Sequence, residues 1–255
     1  MPLLPRKLSV VLMFLTLASA SARLQAGTLV MRSGPAAVPL VELYTSEGCS
    51  SCPPAQRWLG GLKRSPDLWR GFVPVAFHVD YWDHLGWRDR YGSPLHGLRQ
   101  RAYVGAGGLS QVYTPAFVVQ GQEWRGWFRD RAVPVPDGEP PGSLALEIID
   151  QARARVTFQS LQSRASALSA TVAVLGVDLV SAIEAGENRG RRLDHDFVVL
   201  GTMQVPMQGE AGAYVAELVL PAPAVPAARY AYAAWVSAGA EPAPLQSVGG
   251  WADGR

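Results

Sequence analysis

Two cysteines, Cys49 and Cys52, are the only ones in a chain of 255 residues. They are separated by Ser50 and Ser51. A disulfide between them closes a four-residue loop, worth only ~2 kcal/mol in the chain-entropy account. A structural staple would close a longer loop, so the spacing points to reactive sulfur. The attacking species in thiol–disulfide exchange is the thiolate, and a cysteine at a helix N-terminus is favoured in that form by unpaired amides and the helix dipole. By position Cys49 is the expected nucleophile and Cys52 the resolving thiol, one helical turn inward. The hydroxyls of Ser50 and Ser51 can donate to a nearby thiolate.

The flanking pattern supplies the helix. Leu40 to Thr45 reads as a strand, Ser46-Glu47-Gly48 breaks it, and a helix is expected from about Cys52 to Lys63, with Pro53 and Pro54 in its first turn, where a missing N–H is tolerated. Phe72 to Val79 reads as a second strand, so the opening unit is β-α-β with parallel strands and a right-handed crossover. A helix is expected from Pro94 to about Val104, strands over Tyr113–Val119 and Glu123–Phe128, and a helix over Ser143–Arg155 capped by Ser143. From about residue 157 onward the pattern is short strands separated by turns, over 168–175, 177–184, 195–204, 213–220 and 230–236, which suggests a small β-sandwich.

The expected fold is therefore α/β: a thioredoxin-like domain over 38–157, with a mixed central sheet flanked by helices, then a β-sandwich-like domain over 158–255. In such a domain Thr114-Pro115, opening the third strand, is expected to be cis, setting the Thr114 main chain where a substrate cysteine can pair with it. Glu42, seven residues before Cys49 in an otherwise apolar strand, is expected either to be a buried acid that takes the Cys52 proton or to be an outward-facing edge residue.

The loop after the second strand carries His78, Asp80, Asp83 and His84, and should lie beside Cys49. It can shape and tune the site, transfer protons, or, with Cys49, Cys52 and His78 as ligands, hold Cu(I) or zinc. Tyr81, Trp82 and Trp87 are candidates for a substrate groove, which Trp124 and Trp127 could join; aromatics at this density also suit a core. Glu187, Asn188, Arg189, Arg191, Arg192 and His195 form a polar turn that reads as a solvated loop or a contact for an anionic partner.

VELYTSEGCSSCPPA (41–55), AFHVDYWDHLGWRDRY (76–91), RQRAYV (99–104), VYTPAFVVQG (112–121) and GENRGRRLDHDFVV (186–199) resemble an exported bacterial family of the thioredoxin-like superfamily, classed as domain of unknown function 1223. The resemblance spans about residues 38–236 and implies thiol chemistry at Cys49 and Cys52 beside Pro115. Family members often carry Gln after that proline, where this chain has Ala116, so a side-chain contact there does not carry over.

Arg6 and Lys7, the apolar run Leu8–Leu17 and the small residues 18–22 read as a signal peptide over 1–22, cleaved after Ala20 or Ala22, or after Ala26. Ten apolar residues are too few to span a bilayer, and no later segment is long enough. The expected location is periplasmic or secreted. The chain has 23 basic and 21 acidic residues; without Arg6 and Lys7 the two balance, which leaves no electrostatic footprint for nucleic acid. The function expected is thiol–disulfide exchange with exported protein thiols or disulfides or with a redox partner, and with no cofactor beyond the Cys49–Cys52 disulfide. The alternatives are a non-catalytic binding module and a Cu(I)-handling protein.

Overall fold

A computed structural model describes residues 28–129, 131–150, 152–162 and 167–254. The expected signal peptide lies outside the described residues. In chain order the elements begin with β1 (Leu29–Arg32), β2 (Leu40–Thr45), α1 (Pro53–Gly61), β3 (Val73–His78), α2 (Pro94–Gly105), β4 (Ala116–Val119) and β5 (Gln122–Glu123). They continue through β6 (Gly142–Ile148), β7 (Arg153–Ser160), β8 (Leu168–Val177), β9 (Leu179–Ala182), β10 (Arg192–His195) and β11 (Val198–Pro206). The last are β12 (Gln208–Glu210), β13 (Ala213–Val219), β14 (Arg229–Ala238) and β15 (Pro244–Trp251).

The expected α/β class is corrected by this architecture. The protein is mostly β, with 43% strand and 14% helix, and only α1 and α2 are α-helices among the described residues. An eight-stranded sheet runs in the order β15-β14-β8-β11-β3-β2-β4-β5. Strands of the C-terminal half thus extend the sheet that holds the β2-α1-β3 unit, rather than forming a sandwich of their own. The junction is β11 against β3, which pair in parallel at Val198 and Ala76. A second sheet, β1-β6-β7-β13-β12, draws strands from both halves. It packs on the β8–β14–β15 end of the large sheet through Leu144, Leu146, Phe158, Val172, Val236 and Val248.

The expected helix over Ser143–Arg155 is instead the β6–β7 hairpin. Leu144, Ile148 and Ile149 can be read at helical spacing, but the side chains that bury are Leu144, Leu146, Ala154, Val156 and Phe158, at strand period. Asp150 makes the turn, its Oδ1 accepting the amides of Ala152 and Arg153 at 2.9 Å each. The expected strand over Glu123–Phe128 reduces to the two residues of β5 followed by a 3₁₀ turn at Gly126–Arg129.

All six residues of β2 and all six of β3 are buried, as in strands covered on both faces. Leu43 pairs with Phe117, and Trp58 of α1 packs on Phe117 at 5.2 Å between ring centroids. Leu43 and Thr45 therefore face α1, and Gln56 donates to Thr45 Oγ1 at 2.9 Å. Glu42 and Tyr44, on alternate positions, face α2. α2 starts at Pro94 after the N-cap Ser93, whose hydroxyl accepts the Leu95 amide.

Candidate functional site

Cys49 and Cys52 are joined by a disulfide on the loop between β2 and α1. Cys52 is the N-cap of α1, with Pro53 and Pro54 following, and its carbonyl accepts the amides of Ala55 and Gln56. The Ser51 hydroxyl lies 3.4 Å from Cys49 Sγ. Ser50 and Ser51 are exposed, yet Cys49 is 1% and Cys52 0% exposed. A Cβ at Gly48 would lie 3.2 Å from Trp82 Cβ and 3.3 Å from its carbonyl oxygen, so the missing side chain lets the two loops meet closely.

Thr114–Pro115 is cis. Extending the β2–β4 register by one and two residues sets Pro115 opposite Thr45 and Thr114 opposite Ser46, beside the cysteine loop. The Thr114 hydroxyl is buried without a hydrogen-bond partner. Next to it, the Tyr113 carbonyl accepts Gln100 Nε2 at 2.7 Å, and Gln100 Oε1 accepts the Tyr81 hydroxyl at 3.0 Å. Tyr81 is thereby tied to the proline loop, and burial pushes its phenol up to about 12. Trp82 keeps a buried indole N–H without a partner, whereas Trp87 donates its own to Glu47 at 2.8 Å. Trp124 and Trp127 instead pack on Trp58 and Phe117 in the core.

Of the two expectations for Glu42, the structure has the buried acid and not the outward-facing edge residue. Its carboxylate faces α2, on the sheet face away from α1. It accepts Arg99 Nε at 2.7 Å, Arg99 Nη2 at 2.8 Å, Tyr103 Oη at 2.5 Å and Tyr44 Oη at 2.9 Å. Burial raises both phenols well above their ordinary range, so they stay donors. An acid saturated by these four donors holds α2 to the sheet and is not poised to receive the Cys52 proton.

The acid beside the cysteines is Glu47, also fully buried. Burial pushes its carboxyl up, but the hydrogen bond from His195 and those from Ser181 and Trp87 outweigh that, and Asp89's opposing charge, and hold it below the ordinary range. His195 Nε2 is 3.1 Å from Glu47 Oε1, and burial keeps this imidazole's pKa low, so it donates while neutral. A second pair lies against the first: His78 Nδ1 is 2.6 Å from Asp89 Oδ2, and the His78 and His195 rings are 5.1 Å apart. Burial pushes the Asp89 carboxyl up, but the charge and hydrogen bond of His78 and the amides of Glu47 and Tyr91 bring it below its ordinary range. His78 Nε2 and His195 Nδ1 are buried without partners. The His78 carbonyl accepts His96 Nδ1–H at 2.6 Å, and burial pushes His96 down to about 4. His78 thus points away from solvent into this cluster; Asp83 accepts the Asp89 amide at 3.1 Å, and His84 turns back onto the Tyr81 carbonyl. Among the described residues no three His, Cys, Asp or Glu side chains converge as a metal-ligand set.

Sequence reasoning left Asn188 as part of a solvated loop. It is 1% exposed, and its Nδ2 donates to the Glu47 carbonyl at 2.8 Å and the Cys49 carbonyl at 3.0 Å. Arg191 Nη1 holds Asn188 Oδ1 at 3.0 Å, and Glu187 Oε2 accepts the Ser50 amide at 3.2 Å. The turn between β9 and β10 is therefore clamped onto the cysteine loop. The only sequence signal was its resemblance to a family segment.

The fold and this site define a mostly β protein carrying a cysteine-pair loop at the start of a helix. The chain belongs to the family described as protein of unknown function DUF1223, whose model matches residues 40–237. No curated protein matches it. Among solved structures it is similar to protein AGR_C_4864 from Agrobacterium tumefaciens, at 22% identity and a TM-score of 0.57, over 84% of this chain and 94% of that one. It is also similar to HBP35 of Porphyromonas gingivalis, at 16% identity and a TM-score of 0.58, over 86% of this chain and 76% of that one. At these identities the likeness is one of fold. No helix among the described residues is long and apolar enough to cross a membrane.

Proposed function

We propose that this chain is an exported thiol–disulfide exchange protein acting through Cys49 and Cys52. The observation that carries the reading is the disulfide itself: it closes four residues at the start of α1, on the loop that leaves a central strand. In the oxidising direction a substrate thiolate attacks Cys49 Sγ, the Cys49–Cys52 bond breaks, and Cys52 leaves as a thiolate that takes up a proton. A second substrate thiolate then attacks its own sulfur in the mixed disulfide. The substrate leaves oxidised, and Cys49 leaves as the thiolate. The reverse sequence reduces a substrate disulfide. Thr114, beside the cysteines by strand register, offers its main chain to the partner, and Tyr81, Trp82 and Trp87 flank the approach. The partners are exported protein thiols or disulfides, and the sulfurs need no further cofactor.

Burial of both sulfurs favours a second reading, a binding module whose disulfide is silent. Insulin reduction and oxidation of a dithiol peptide separate the two. Exchange in either direction, lost in Cys49→Ser, together with mixed disulfides captured by Cys52→Ser from an exported-protein fraction, is the expected result. Absence of exchange in both directions and of any captured species overturns the first reading in favour of the second.

A further inference from the structure

The turn at 186–191 reaches the cysteine loop from a hairpin far along the chain, and nothing in β9–β10 pairing requires it to do so. Its contacts fall on three points of the reactive segment: the Glu47 carbonyl, the Cys49 carbonyl and the Ser50 amide. The Ser50 amide belongs to the peptide that follows Cys49, so the carboxylate is held one residue from the cysteine whose sulfur becomes the thiolate. Two other charged groups on these segments have partners of their own. Glu47, on the same loop, turns its carboxylate to Trp87 and His195; Arg191 spends a guanidinium N–H on Asn188; the 80–85 loop presents the Trp82 main chain at Gly48. Glu187 is exposed and is kept ionised by bonds from the Ser50 hydroxyl and amide.

We propose that this turn sets the redox poise of the cysteine pair: Glu187, held at the Ser50 amide by the buried Asn188 anchor, disfavours the Cys49 thiolate and so favours the disulfide. The inference rests on the exchange reading for its biological meaning, but not for its test. Reduction by a dithiol delivers two electrons to the Cys49–Cys52 bond. Cys52 takes one of the donor's two thiol protons and the other goes to solvent, Cys49 is left as thiolate next to the peptide that Glu187 holds, and the donor becomes a cyclic disulfide. Like charges at short range repel, and salt screens the repulsion, with a Debye length of ~3 Å at 1 M. Asn188 is a positioning residue: it acts by holding the turn in place.

The test is a titration of the Cys49 thiol and a redox equilibrium against dithiothreitol, at low salt and at 1 M salt. Glu187→Gln is expected to lower the thiol pKa and to shift the equilibrium about threefold towards the reduced form, ~14 mV for a two-electron couple. Glu187→Lys should move both further in the same direction. Both shifts should shrink at 1 M salt. Asn188→Ala should move the thiol pKa the same way in the wild-type background and not at all in Glu187→Gln, which a general loss of packing would not reproduce. Glu187→Gln and Glu187→Lys proteins with the wild-type thiol pKa and equilibrium overturn the proposal, whatever becomes of Asn188→Ala. A protein that exchanges with no substrate but shows these shifts retains the electrostatic assignment and loses the functional reading; the converse outcome does the opposite.

Discussion

Glu42, within β2, and Glu47, on the loop that follows it, stand five residues apart, both fully buried, and their surroundings differ in kind. Glu42 meets a permanent cation, Arg99, and two phenols held protonated by burial. Glu47 meets only neutral donors: an indole, an imidazole and a hydroxyl. The first carboxylate is neutralised where it sits and serves to fasten α2. The second keeps its negative charge next to the cysteine loop. A buried acid near a cysteine pair is therefore no guide to proton transfer until its partners are known.

The comparison breaks most readily at Glu42. Glu42→Gln leaves Arg99 without its counter-charge and is expected to lower stability by ~3–5 kcal/mol, read from the urea midpoint. The Cys49 thiol should titrate as in the wild type, and the double variant Glu42→Gln/Arg99→Met should recover most of the loss. A wild-type midpoint for Glu42→Gln would show that the pair is not what holds α2.

Acid sharpens the contrast from the other side. The folded chain keeps His96 neutral down to about pH 4, whereas an unfolded imidazole protonates near pH 6.5. Between those values the unfolded state binds more protons, so stability falls as pH falls, by ~3 kcal/mol across the window. His195, also lowered, adds to the loss in the same direction. The lowered carboxyls of Glu47 and Asp89 contribute stability that is present above their unfolded values and is lost as pH drops below them. Urea midpoints from pH 7 to 4 should follow this slope, and His96→Gln should flatten it. A flat wild-type profile would contradict the burial of these imidazoles in neutral form.

The smallest effect is expected at Glu47. Glu47→Gln weakens charged hydrogen bonds from Trp87 and His195, at ~1.5–3 kcal/mol. Unlike Glu42→Gln it should also lower the Cys49 thiol pKa, because it removes a negative charge near the sulfur. Thiol titration of the two variants side by side decides whether the two acids divide their labour in this way.

Much of the N-terminal unit was legible. Leu40–Thr45 matches β2 residue for residue, α2 opens at Pro94 as expected, and the bond before Pro115 is cis. These rest on local chemistry, which sequence carries directly. The misread hairpin had the opposite problem, since Leu144, Ile148 and Ile149 fit a helical stripe and only the choice of buried face, set by the sheet beneath, distinguishes the two. Asn188 was beyond local reasoning altogether, because its partners lie 139 and 141 positions earlier in the chain. For Glu42 the sequence left a buried acid and an outward-facing edge residue open; it is buried, and alternation along β2 fixes its face but not which helix covers that face.

The joining of β11 to the edge of β3 has a consequence for how the protein is made. A chain synthesised from its N-terminus at ~5–20 residues per second presents Cys49 and Cys52 on the order of 10 s before Asn188 and His195 exist. Until then β3 has an open edge, and the cysteine loop lacks both its clamp and the histidine that bonds Glu47. Non-local pairing of this kind is also slow to form once the residues are available. The cover and the hydrogen bonds that the turn gives the cysteine loop are thus the last parts of the site to be supplied.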